Sequence, residues 1–222
     1  MNPNPVNKLG FWFATFAATF SILYSMFQIL SSLGLLTGYL SQILIFGASI
    51  LIAPSFVAMI ACVHYTSHET KKVWSQIGLQ FSVLYAVFVM IVYMTELFVV
   101  IPHGIRGESE KVALLAFEPE SLMYVIDGLG YTFMCVATLF CAQVFIGDGI
   151  NKWIKRISTM NGILGIPIFI VYIYFHPVLL FFGTMWMITV PSICILIAIQ
   201  FRSTMRIDNK SRISYISPLS LF

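Results

Sequence analysis

Residues 77–102 read IGLQFSVLYAVFVMIVYMTELFVVIP, with one charged residue, Glu96. A helix needs roughly 20 apolar residues to cross ~30 Å of hydrocarbon. A stretch this long and this apolar on every face is a membrane span rather than the half-wet helix of a soluble domain. Five more runs of the same kind flank it, at residues 11–36, 43–63, 121–146, 159–175 and 178–200. The fold expected is therefore an all-α integral membrane bundle of six transmembrane helices. Residues 1–202 form the membrane domain and residues 203–222 a polar cytoplasmic tail. The first run is too long for the apolar core of a cleaved signal peptide and is expected to remain as a span.

Composition agrees. Hydrophobic residues make up 59% of the 222-residue chain and charged residues 9%, where a soluble domain carries about 25% charged. So few charges cannot cover a water-soluble surface, which excludes a soluble enzyme or a nucleic-acid-binding protein. Cys62, Cys135, Cys141 and Cys194 sit in or beside apolar runs without CxxC spacing, so they read as small buried hydrophobes.

The basic residues orient the bundle. Lys8, Lys71, Lys72, Lys152, Lys155, Arg156, Arg202, Arg206, Lys210 and Arg212 all fall on one side, against Arg106 and Lys111 on the other. By the positive-inside rule both termini are cytoplasmic. Trp12, Trp74 and Trp153 fall near that inner interface. The outer segment 103–120 carries Glu108, Glu110, Glu118 and Glu120. Segment 148–158 reads as an interfacial amphipathic stretch, with Ile150, Trp153, Ile154 and Ile157 towards lipid and Lys152, Lys155 and Arg156 at anionic headgroups. Gly34 and Gly38 form GxxxG in the first run, and Ala14 and Ala18 a small-residue pair, both signs of close helix packing. The sequon Asn209-Lys210-Ser211 lies in the cytoplasmic tail and should stay unmodified.

Three helices carry polar stripes. At 100° per residue, Ser82, Tyr85, Tyr93, Glu96 and His103 share a face of the third, and Tyr124, Asp127, Tyr131 and Thr138 a face of the fourth. Ser21, Tyr24, Ser25, Gln28, Ser31 and Ser32 share a face of the first. Lipid cannot satisfy such groups, so the stripes should point inward. The expected site is an outward-facing polar cavity with Glu96 and Asp127 as a proton or cation site, joined by Gln28, Tyr93, Tyr124, Tyr131 and His103. The same stripes would also serve as interhelical hydrogen bonds that only hold helices together.

No Walker, GxSxG or HExxH motif is present, so no catalytic, cofactor-binding or metal set is assigned and no cofactor is expected. His64 and His68 have HxxxH spacing beside Glu69, with Asp148 as the obvious further ligand on the inner side, and His103 and His176 lie at outer helix ends. These histidines read first as interfacial groups.

Asp127-Gly128-Leu129-Gly130-Tyr131 through Phe145, followed by Trp153 to Pro167 with Asn161-Gly162, resembles uncharacterised six-span integral membrane proteins of bacteria and archaea. The resemblance covers about half the chain and implies a multi-pass protein of a prokaryotic plasma (inner) membrane. The first functional expectation is a small carrier or solute-binding membrane protein. The alternative is a non-catalytic partner or sensor subunit of a membrane complex, and the third an intramembrane enzyme acting on lipid. The partners expected are the bilayer, a small solute or cation and, for the alternative, another membrane protein.

Overall fold

The computed structural model describes residues 5–174 and 177–216. Among these the regular secondary structure is all helix, and six helices are long and apolar enough to cross a membrane. They are α1 (Pro5–Ser32), α2 (Gly38–Thr66), α3 (Lys72–Thr95, prolonged to Ile105), α4 (Leu122–Cys141), α5 (Ile150–Ile173) and a sixth crossing built from α6 (Pro177–Thr184) and α7 (Trp186–Ile216). Each crossing packs against its neighbours in the chain, and α7 closes the ring against α1. Large apolar side chains such as Phe98, Ile163 and Ile188 are left on the outside of the crossings, the surface that suits lipid.

The ends have local causes. Helix α1 stops in a Schellman motif, in which Leu35 N–H donates to the Leu30 carbonyl (3.0 Å) and Gly34 N–H to that of Ser31 (2.9 Å). Gly34 takes φ +71° and Gly38 φ +67°, with open space where a Cβ would be. The GxxxG pair is therefore a turn and not a packing motif: the left-handed backbone requires these glycines. Ala14, Ala17 and Ala18 are buried, so the close packing of α1 lies at the alanines instead.

Segment 148–158 differs from its expected form. It is the first half of α5, continuous to Ile173, and Ile154 is fully buried. An apolar residue every third or fourth position faces equally well a headgroup layer or another helix, and here another helix is present. Similarly, α7 runs past the apolar part of the chain to Ile216, so the polar segment from Ser203 prolongs a helix. The sequon at 209–211 lies outside the residues whose side chains are described.

Two of the crossings depart from regular helix. Helix α3 passes through a π-helical turn at Glu96–Val100, where Ile101 N–H reaches the Glu96 carbonyl. The Nδ1–H of His103 donates to the Val99 carbonyl (2.8 Å). The sixth crossing is interrupted at Met185. Further along, Pro191 cannot donate to the Met187 carbonyl. The Ser25 hydroxyl of α1 lies 3.3 Å from that oxygen, so the freed acceptor meets a polar group from a neighbouring helix.

Glycines set the spacing around α4. A Cβ on Gly162 would lie 2.5 Å from the Leu139 Cβ, and one on Gly78 would lie 3.0 Å from the Ala137 carbonyl oxygen. Gly47 by contrast has nothing within 4 Å. Gly162→Ala is expected to destabilise by about 1–3 kcal/mol through overpacking. Gly47→Ala should leave stability unchanged or raise it by up to about 1 kcal/mol. Thermal melts of both variants in the same detergent check the contrast.

Candidate functional site

The polar stripes turn inward except at Ser32, which is exposed at the end of α1, while Tyr24, Ser25, Gln28, Ser31, His103 and Tyr124 are half-buried. Ser21, Ser82, Tyr85, Tyr93, Glu96, Asp127, Tyr131 and Thr138 are all buried. Asp127 is 2% exposed. Its Oδ2 accepts from the Tyr172 hydroxyl of α5 (3.0 Å), while its Oδ1 is buried without a hydrogen-bond partner. A buried acceptor of this kind is unusual and calls for a proton, a water or a ligand.

The space in front of it is a cavity of about 310 Å³ at the end of the bundle that carries segment 106–121. Asp127, Gln28, Tyr93, Tyr124 and Tyr131 line it. These five expected site residues come together from α1, α3 and α4. The cavity runs from the buried Asp127 and Tyr131 to exposed Gln42 and Thr184. Its walls are aromatic. Trp186, at the start of α7, has its ring centroid 4.8 Å from Tyr131 and 5.1 Å from Tyr24. Tyr124 and Tyr172 pair at 4.4 Å. The Tyr93 and Tyr131 hydroxyls are hydrogen-bonded at 2.8 Å and tie α3 to α4.

The other two expected residues go elsewhere. Glu96 is 3% exposed and lines a neighbouring cavity of about 390 Å³ with Tyr39, Ser109, Glu110 and Glu118. Its Oε1 accepts from the backbone N–H of Phe117. Phe117 and Gln42 line both cavities and stand between the two acids. The π turn at Glu96 thus anchors segment 106–121 by one backbone hydrogen bond. His103, held on Val99, lines neither cavity.

Within the segment itself, Glu108 pairs with both Arg106 (3.7 Å) and Lys111. The Lys111 hydrogen bond, helped by the Arg106 charge, holds the Glu108 carboxyl below the usual range. Glu110, Glu118 and Glu120 form no ion pair among the described residues. The mouth side is therefore acidic.

Deeper in the bundle, Asn161 is fully buried; it donates to the Thr138 hydroxyl (2.9 Å) and accepts from that of Thr189 (2.6 Å). This network joins α4, α5 and α7 and has no orphaned atom. It is structural glue of the kind expected between membrane helices. The two inner histidines are engaged separately, His64 with Ser75 (2.9 Å) and His68 with Thr70 (3.0 Å). Among the described residues no three His, Cys, Asp or Glu cluster as metal ligands, and His176 lies outside them.

Sequence reasoning did not find Tyr172, Trp186, Gln42 or Phe117. Trp186 had a signal. The other three tryptophans sit at the expected inner interface, and Trp186 alone lies within the sixth apolar run near its other end. Tyr172 had none, because its partner is 45 residues away on another helix. The chain matches no family model, no curated protein and no solved structure.

Glu96→Gln keeps an acceptor for the Phe117 N–H, while Glu96→Leu leaves that donor without one. The leucine variant is expected to lose about 1–3 kcal/mol and the glutamine variant under about 1 kcal/mol. Proteolysis of segment 106–121 in the folded protein should accelerate only in the leucine variant.

Proposed function

We propose that this multi-pass membrane protein is a small carrier or solute-binding protein, and that its solute occupies the cavity around Asp127. The supporting observation is a buried carboxyl group, one oxygen of which has no hydrogen-bond partner, in the wall of a preformed aromatic cavity. A network whose only purpose is to hold helices together satisfies its own members, as Asn161, Thr138 and Thr189 do. Asp127, in the wall of the cavity, is left one bond short. The broken sixth crossing adds support, since Gly183 and Thr184 before the interruption and Trp186 and Met187 after it all line the cavity. Interrupted helices commonly border binding sites within membranes. Glu96 in this reading positions Phe117 and does not contact the solute.

The distribution of basic residues supports a plasma-membrane orientation with the cavity mouth and segment 106–121 outside and both termini in the cytoplasm. A membrane-impermeant thiol reagent applied to intact cells is expected to label Ser109→Cys. Ser203→Cys should react only after permeabilisation. The reverse pattern would invert the topology.

Asp127→Asn keeps an acceptor for Tyr172 but removes the charge. A thermal-shift screen of small solutes should find compounds that raise the Tm of the wild type and not that of Asp127→Asn, with the unliganded melts agreeing within a few degrees. Equal shifts in both proteins, or none in either, would remove the cavity from consideration as a solute site.

A further inference from the structure

Tyrosine and tryptophan faces carry negative electrostatic potential, and an ionised carboxylate beside them adds to it. The cavity around Asp127 combines both. Tyr24, Tyr131 and Trp186 form one aromatic corner and Tyr124 with Tyr172 another, while Asp127 lines the space with them. Among the described residues, no lysine, arginine or histidine lines the cavity. An anion there would meet repulsion from the carboxylate, with its unpartnered Oδ1, and no cationic side chain to offset it. A neutral apolar solute would leave that oxygen orphaned, at the usual cost of a buried unpaired acceptor.

A donor with positive charge resolves both. We infer that the cavity binds a small organic amine in its protonated form, its ammonium group paired with the Asp127 carboxylate and its apolar body resting against Trp186 and the tyrosine rings. The inference rests on the reading of the cavity as a solute site and adds the chemical class.

The volume, about 310 Å³, is ample for a guest of one ring with a short chain. The rim acts in the same direction. Segment 103–120 holds four glutamates against Arg106 and Lys111, and both of those cations are engaged by Glu108. A cation approaching that face is drawn to it, and an anion is turned away.

Three probes of similar shape and different charge test this: 2-phenylethylammonium, 2-phenylethanol and 3-phenylpropanoate. Binding is measured by calorimetry to the full-length protein in lipid nanodiscs, with empty nanodiscs subtracted. The ammonium is expected to bind saturably, at least about tenfold more tightly than the alcohol, with the propanoate not binding. Trp186→Leu should weaken the ammonium by about threefold to thirtyfold. Asp127→Asn should weaken it on the order of a hundredfold.

If the alcohol or the propanoate binds as tightly as the ammonium, and Trp186→Leu weakens it, the amine assignment falls and the solute cavity stands. If none of the three saturates, both fall. Should Asp127→Asn fail to fold, the charge series on the wild type and the Trp186→Leu comparison still decide.

Discussion

Helix α4 comes close to two neighbours at once, and the rest of the bundle depends on the small residues that permit it. Gly130 of α4 lies against Val89 of α3, and Gly78 of α3 against the backbone of α4. Gly162 and Gly165 of α5 fit over Leu139 and Cys135. On α4 itself, Gly128 leaves the space that the Tyr172 ring fills; a Cβ there would lie 2.1 Å from its Cγ. Because that ring lies flush on α4, its hydroxyl reaches Asp127, the residue before Gly128. Close backbone approach, the main source of packing energy between helices in lipid, thereby also orients the acid.

Hydrocarbon imposes the second constraint, since it offers no partner to a freed backbone group. The chain nevertheless departs from regular helix in two crossings. The His103 ring bonds back to Val99 within the π turn of its own helix, and Ser25 of α1 lies near the Met187 carbonyl that Pro191 leaves free. The interruption near Met185 turns Trp186 towards Tyr131 and Tyr24. These irregularities are concentrated where the bundle surrounds a cavity, the place where irregular backbone is tolerated in a membrane.

The two buried acids have separate tasks because of Phe117. Its backbone N–H is bound by Glu96 and its ring reaches Tyr124 at 5.6 Å and Phe46 at 6.0 Å. Glu96 spends its charge on a backbone donor of the covering segment, and Asp127 keeps one oxygen uncommitted.

The number of crossings, the inward turn of the polar stripes and the membership of Asp127, Gln28, Tyr93, Tyr124 and Tyr131 in one region were legible in the sequence. Hydrophobic run length is set by the bilayer and helical period by the backbone, and neither needs tertiary knowledge. Other features depended on which surfaces meet. Whether Ile154 faced headgroups or helix, whether Gly34 and Gly38 packed or turned, and whether Glu96 stood beside Asp127 all share one difficulty. A helical face records what is buried but not against what. Tyr172 and Trp186 entered the site only through the ring of helices, because contacts between residues distant in the chain are decided by which helices become neighbours and how closely their glycines let them approach.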